Sequence, residues 1–401
     1  MRLKIAIVVP GRFHAFDLAE GLLARGEDVT VFTTYPARAV ARFGFPAARV
    51  RRFVWHGIFS RVLGRLPSRG PIRRPEAWLH RLFGRWAARQ LAKDKWDIVH
   101  TWSGVSEEVL RSYSYQWGIT LLMRGSAHVR AQSRLLEEES RRSGAEIDRP
   151  TPWMIARETR EYALADQVVV LSTFARRTFE AEGFPPQKLS LVPLGVRTTA
   201  FRPDAEMIAA RQRRLRSGAP LRVLYVGLLS YRKGLMDLAA VVKALAGDRF
   251  HFRFVGAALP EAAGLVAELR GKADIVGKVP QHALPAIYND ADVFVFPTIE
   301  DGYAAVLAQA KAAGLPIIAT PNSAGRDLLT PDHDGWIVPI RSPGAIIERL
   351  RHCEADREGL AAMTRAVYEG YQPRDWTDVA RDVDNIYARL VRAHQPVAAH
   401  G

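Results

Sequence analysis

The stretch from Val293 to Asp327, VFVFPTIEDGYAAVLAQAKAAGLPIIATPNSAGRD, constrains the fold of this chain more than any other. A short β-rich apolar run, Val293 to Phe296, stops at Pro297 and is followed by the acidic loop Thr298-Ile299-Glu300-Asp301-Gly302. The pattern then turns helical until Gly314-Leu315-Pro316, and a second apolar run, Ile317-Ile318-Ala319, follows at once. Strand, loop, helix and strand in that order make one βαβ unit, which requires a parallel sheet. Ligands of such sheets sit at the carboxyl ends of the strands, where the free N–H groups of the next helix attract anions. An acidic loop at that edge suits a ligand with neutral hydroxyls: Asp301 would accept from them while the N–H groups of Gly302 to Ala305 face an anion. The other reading is a surface turn with an ordinary acidic helix cap.

A chain of 401 residues exceeds one ordinary core and suits two domains of about 200 residues each. Ile5 to Val9 is too short for a signal-peptide core and reads as a buried first strand. No apolar run approaches the roughly 18 residues of a spanning helix. A single cysteine, Cys353, forbids an internal disulfide and agrees with a reducing cytoplasm.

The second half restarts the pattern of the first. Lys4–Val9, the loop Pro10 to His14, the helix Ala15–Ala24 and the strand Val29–Thr34 form a Rossmann-like opening. Only Gly11 lies in its loop, so the dinucleotide fingerprint is absent and a nicotinamide or flavin enzyme is disfavoured. His14 sits at the loop-to-helix junction, as a substrate contact or a local cap. Ile119–Met123 delivers Arg124 and His128 to the same edge, a guanidinium for an anionic group and an imidazole for a hydroxyl. Residues 204–219 are polar and basic and mark the junction. Strand Leu221–Val226, loop Gly227 to Gly234 and helix Leu235–Leu245 then follow. Arg232 and Lys233, adjacent cations before a helix N-terminus, form a candidate diphosphate site.

Charge separates the halves. Residues 1–200 carry 32 Lys/Arg against 19 Asp/Glu, and residues 201–401 carry 25 against 23. Within the first half, a helix over Glu76 to Ala92 sets Trp78, Leu79, Leu82, Phe83 and Trp86 on one face and Arg81, Arg85 and Arg89 on another. Such a helix suits an anionic membrane surface, or is a core-facing helix with a solvated basic face. No nucleic-acid-binding motif accompanies the charge, so no nucleic-acid partner is expected.

The ordered motifs resemble the retaining GT-B glycosyltransferases of family 4 over essentially the whole chain. Val168–Ser172, Phe174 to Pro193, Gly195-Val196 and Phe201-Arg202-Pro203 are similar to the family passage "vvvxS…vxxGvdxxxFxP". Gly227 to Gly234 resembles "GRLxxxKG". Gly277-Lys278-Val279 with Leu284, Tyr288 and Ala291-Asp292-Val293 resembles "GxvxxxeLxxxYxxADvfv". The motif "EGFGxxxxEAxA" falls on Asp301-Gly302-Tyr303-Ala304 to Gln309-Ala310, with Asp301 and Gln309 in place of the two acids and Glu300 as an alternative first acid. Leu228 stands where the family has a phosphate-binding Arg, and Arg197 where it has an acid.

The resemblance implies an α/β GT-B fold of two Rossmann-like parallel-sheet domains facing across a cleft. Residues 1–203 would bind acceptor, 204–375 the nucleotide sugar, and 376–401 would form a helix crossing back over the first domain, and a tail. It further implies catalytic roles for His128, Lys233, Arg232 and Asp301. Donor contacts would come from Gly227, Lys278, Val279, Glu300, Gly302, Tyr303, Ala304, Ala305 and Gln309, and acceptor contacts from Gly11, His14 and Arg124. The co-substrate would be a UDP- or GDP-linked sugar, with no further cofactor and, with no metal-binding Asp-x-Asp identified, no metal. The acceptor would be a glycan or lipid-linked molecule in envelope or exopolysaccharide synthesis, met by a cytoplasmic enzyme at the anionic inner face of the membrane. The substituted acids leave a second expectation, a catalytically weak GT-B scaffold that binds a nucleotide sugar or a protein partner.

Overall fold

The computed structural model describes residues 2–63, 76–113 and 118–394. Two all-parallel sheets account for the strands. The first, seven-stranded, runs in spatial order Val50–Arg52, Asp28–Thr33, Lys4–Val8, Ile98–Trp102, Ile119–Arg124, Gln167–Val170 and Leu189–Leu191. The second, six-stranded, runs Asp274–Gly277, Phe250–Val255, Leu221–Val226, Val293–Phe296, Ile317–Ala319 and Gly335–Ile337. Both sheets reverse strand order beside their first strand in sequence, and at such switch points the loops diverge and leave room for a ligand. The central strands are buried on both faces, as helix-covered parallel strands must be.

Two elements escape a reading by apolar pattern. Val50–Arg52 is an edge strand whose two arginines are exposed, so its period is masked by charge. The junction segment itself is the helix Ala205–Arg216, which packs on Arg357–Gly370 of the second domain.

The basic helix spans Glu76–Leu91, and its apolar face points into the protein. Phe83 is fully buried, and Trp86 stacks on Phe53 with ring centroids 5.2 Å apart, while Arg81, Arg85 and Arg89 face solvent. The core-facing reading of that helix therefore holds for Phe83 and Trp86, while Trp78 near its N-terminal end stays 53% exposed.

The last helix, Trp376–His394, returns to the first domain and lies on Ala15–Ala24. Gly21 permits the approach: a Cβ there would stand 2.7 Å from that of Ala380. Val379, Val383 and Tyr387 are buried against the first core, each contributing about 1.5–3 kcal/mol by removing apolar surface from water. Arg25 pairs with Asp384 at 2.7 Å, and the Tyr387 hydroxyl meets His100 Nδ1 at 2.6 Å. No helix among the described residues is long and apolar enough to cross a membrane.

Candidate active site

The carboxyl ends of the two sheets face each other across a cavity of about 490 Å³. On the second-domain side, strand Val293–Phe296 leads into a loop fixed by hydrogen bonds. The Ile299 N–H donates to the Arg232 carbonyl at 2.9 Å, Asn322 Nδ2 to the Ile299 carbonyl at 2.9 Å, and Thr320 Oγ1 to the Thr298 carbonyl at 2.6 Å. So tethered, the loop sets Asp301 on the cavity wall. Asp301 Oδ1 accepts from the N–H groups of Tyr303 and Ala304, both at 3.1 Å, and Oδ2 meets Lys233 Nζ at 2.6 Å. Two of the N–H groups expected to face an anion are thus taken by Asp301. Burial pushes its carboxyl up, but the Lys233 charge and these hydrogen bonds outweigh that and hold it below the ordinary carboxylate value. Ala304, with φ 66°, holds a left-handed conformation that costs a non-glycine residue energy, and such strain clusters at functional sites.

Lys233 is placed by the loop after strand Leu221–Val226. Gly234 follows it with φ 79°, where a Cβ would stand 2.0 Å from the Pro297 carbonyl oxygen, so only glycine lets the two loops meet. Lys233 therefore sits where strand end and helix N-terminus converge on the cavity, beside Gly227, Tyr303, Ala304 and Ala305.

The first-domain side is aromatic. Phe13, His14, Trp102 and His80 line it, with Ser103 and Arg124. Glu161, fully buried, shapes this wall by accepting from the backbone N–H groups of Gly104, Ser106 and Glu107 at 2.5, 2.8 and 3.0 Å. Burial pushes the Glu161 carboxyl up to about 8, with Arg157 beside it pulling the other way. The ring of His14 lies 5.5 Å from Trp102 and stacks on Trp376 at 5.8 Å. Burial lowers the His14 imidazole to about 4 and that of His100 to about 3, so both are neutral near pH 7. His14 Nε2, His100 Nε2 and Trp102 Nε1 find no hydrogen-bond partner among the described residues. Trp102, Ser103 and His80 were missed as site residues. The signal for the first two was available, since Trp102 ends a strand at the ligand edge and Ser103 follows it.

Several expected site residues lie elsewhere. His128 does not line the cavity: it caps helix Val129–Ser143 by accepting from the Arg130 N–H, and its ring packs on Tyr162 and Phe179 at 5.0 and 4.8 Å. Burial lowers that imidazole to about 4. Arg232 turns aside from the cavity and pairs with Glu300 at 2.6 Å, while also donating to Ser126 Oγ at 3.2 Å. Glu300, fully buried, accepts in addition from the Ala127 N–H and from Gln132 Nε2, both at 3.0 Å. It joins the domains and is not among the residues lining the cavity. Gly302 lies on the same contact, where a Cβ would stand 2.0 Å from the Gly125 carbonyl oxygen. Arg124 reaches the cavity wall, but its guanidinium is engaged by Glu158 at 2.8 Å and Gln132 at 2.7 Å. Gln309 accepts from the Tyr288 hydroxyl at 3.1 Å and, like Lys278 and Val279, is not on the cavity lining. Gly11 is flanked by two lining residues, Pro10 and Phe13, without lining the cavity itself.

Between these walls the arrangement can hold a diphosphate at Lys233 and hydroxyl groups at Asp301. Residues 220–356 match the family described as glycosyl transferases group 1, and residues 12–200 match glycosyltransferase family 4. A D-inositol 3-phosphate glycosyltransferase of Acidothermus cellulolyticus is 30% identical over 366 residues, covering 83% of this chain and 76% of that one. The chain is a family 4 glycosyltransferase. The architecture is accordingly GT-B: HepE of Anabaena, solved in complex with UDP, superposes with a TM-score of 0.68 at 12% identity, over 97% of this chain and 100% of that one. Another relative of this glycosyltransferase, the Escherichia coli WcaL protein named for colanic acid biosynthesis, is 27% identical over 217 residues. That match spans about half of each chain, 51% of this one and 52% of WcaL. Among the described residues of the transferase, no group of three or more His, Cys, Asp or Glu is placed to hold a metal ion.

Proposed function

We propose that this glycosyltransferase moves a hexose, with retention at the anomeric carbon, from a UDP- or GDP-linked donor to a glycan or lipid-linked acceptor held by the first domain. The observation that carries this reading is the Lys233–Asp301 pair, 2.6 Å apart on the wall of an interdomain cavity at the strand carboxyl ends. The UDP complex of HepE and the name of WcaL support a nucleotide donor and a polysaccharide product.

In this mechanism the bond from the anomeric carbon to the diphosphate breaks and the electron pair stays on the phosphate oxygen. Lys233 and the N-terminus of helix Leu235–Leu245 stabilise that charge, a type of electrostatic help worth about 2.7–4 kcal/mol in other enzymes. Asp301 accepts from donor hydroxyls as Lys233 turns toward the phosphates. The acceptor hydroxyl attacks from the face the diphosphate leaves, and its proton passes to the departing phosphate oxygen. No separate general base is needed, and the neutral aromatic wall keeps water from competing.

The 32-to-19 basic excess of residues 1–200 supports a further part of the reading, in which the enzyme works at the anionic inner membrane surface on a lipid-linked or otherwise anionic acceptor. The test of transfer is NMR of the product from a panel of UDP- and GDP-hexoses, with donor hydrolysis as the readout where no acceptor is accepted. Retained anomeric configuration with wild type, and loss of turnover in Lys233→Ala and Asp301→Ala, is the expected result. Inverted products, or undiminished turnover in both variants, would refute it.

A further inference from the structure

One face of the first domain carries an apolar stripe that the described residues leave largely exposed. Helix Val54–Leu63 buries only His56 and Gly57. Gly57 lies against Thr34, and His56 Nε2 meets the Leu79 carbonyl at 2.9 Å. Its outer face presents Trp55, Ile58, Phe59 and Val62, which are 78%, 46%, 47% and 52% exposed. The spacing i, i+3, i+4, i+7 puts them on a single line along the helix, the pattern of a core-facing stripe but turned to solvent. Trp78 of the neighbouring helix, 53% exposed, extends the patch by meeting Phe59 edge-on at 5.9 Å. Five of the nine large hydrophobic side chains exposed among the described residues are gathered here, so the exposure is a patch and not scatter.

The charge around the patch says what covers it. The described stretch 29–63 contains six arginines and no Asp, Glu or Lys. Of these, Arg51, Arg52 and Arg61 are exposed on or beside the helix, and Arg81 and Arg85 are exposed on the helix that carries Trp78. A two-fold contact between copies would set these guanidiniums against one another, which is unfavourable. Anionic headgroups complement them, and tryptophan and phenylalanine beside arginine are the side chains suited to the headgroup boundary.

We infer that helix Val54–Leu63 is the membrane-docking element, entering the headgroup layer of an anionic bilayer with Trp55, Ile58, Phe59 and Val62 while the surrounding arginines pair with lipid phosphates. The inference rests on the membrane-surface reading above and assigns it to this helix. The helix packs on the turn after strand Asp28–Thr33, and the Thr34 hydroxyl there donates to the carbonyl of Pro10, a residue of the cavity wall. Docking by this face therefore holds the first-domain side of the cleft close to the lipid surface, where a lipid-linked acceptor enters.

Sedimentation of the full chain with phosphatidylglycerol-containing vesicles, beside pure phosphatidylcholine, tests the inference. Trp55→Ser/Phe59→Ser should weaken binding to the anionic vesicles by at least about tenfold, from the loss of two partly inserted aromatic side chains. Its Tm should stay at the wild-type value, since both side chains are exposed. Met207→Ser, also exposed but in the second domain, should bind as wild type does. Wild-type protein that ignores anionic vesicles at low salt would remove the membrane reading itself. Wild-type binding that the double variant retains in full would leave that reading and overturn the helix assignment alone. A wild-type dimer by light scattering, converted to monomer by the double substitution and without vesicle affinity, would assign the patch to a second copy instead.

Discussion

The two walls of the cleft are built from opposite chemistry. The second-domain wall places a charged pair, Lys233 and Asp301, on loops locked by backbone hydrogen bonds and by a glycine that permits the approach. The first-domain wall is aromatic around His14, Trp102 and His80, with an imidazole at His14 that stays neutral and polar atoms that find no partner among the described residues. A donor with an invariant diphosphate calls for a fixed charge at a fixed place, since preorganised charge costs nothing to reorient during reaction. An acceptor surface can vary, and aromatic walls with a few unmatched polar atoms accommodate sugars of different shape. On the proposed function, the difference makes chemistry and acceptor choice separable by domain.

Lys233→Ala is the most severe way to challenge that division. It should lower kcat/KM by about 10²–10³-fold, as loss of one charge-stabilising donor does elsewhere. The matching change on the other wall, Trp102→Ala, should act mainly on KM for the acceptor. Equal losses of kcat from both would break the comparison.

Next in size is the seam between the walls. Glu300 is fully buried and bonded to Arg232, Gln132 and the Ala127 N–H. Glu300→Ala leaves these donors unmatched and should lower unfolding stability by about 1–3 kcal/mol in urea titrations. An unchanged urea midpoint would show that the two domains do not depend on this contact.

A third test uses pH. Folded-state imidazoles are lowered from 6.5 to about 4 at His14 and to about 3 at His100. The unfolded chain therefore binds protons first, so this stability is complete above pH 6.5 and is lost as pH falls from there toward 4. Unfolding free energy should fall across that window by up to about 1.4 kcal/mol per pH unit for each group. His100→Phe should flatten the slope, and an unaltered slope would show that His100 does not carry the acid sensitivity.

The smallest expected effect is a gain. Leu228, 46% exposed, follows Gly227 of the cavity wall at the position where the family motif has arginine. Leu228→Arg should tighten nucleoside-diphosphate binding by roughly 0.3–1 kcal/mol, the range of an exposed charge pair. Calorimetry would detect it, and weaker binding would mean that this loop does not face the phosphates.

Much of the fold was legible because buried parallel strands announce themselves as apolar runs with glycine or proline at their ends. The βαβ unit around Asp301 and the second-domain restart at Leu221 follow from such runs, and the returning helix at Trp376 from its amphipathic pattern and the family resemblance. Lys233 and Asp301 were legible too, since each sits in a loop between strand and helix at the ligand edge. What the pattern could not give is which polar side chains turn toward the cleft and which toward the seam. Arg232 and Lys233 are neighbours in sequence, yet one reaches across to Ser126 and the other faces the cavity. Glu300 and Asp301 divide the same way, because successive residues of a turn point apart. His128 was misplaced for a similar reason: its strand does reach the edge, but the chain turns after Arg124 and spends the imidazole on a helix cap. The exposed stripe of Val54–Leu63 has the period of a core helix, and periodicity alone cannot tell an inward face from an outward one.

Nucleoside-diphosphate binding to wild type and Lys233→Ala, followed by thermal shift and calorimetry, tests most directly whether the second-domain wall grips the donor by its diphosphate. UDP or GDP at about 100 times its dissociation constant should stabilise the wild-type protein by about 2.7 kcal/mol, and the variant should lose most of that gain. Equal stabilisation of both proteins, or none of either by any nucleoside diphosphate, would contradict the account.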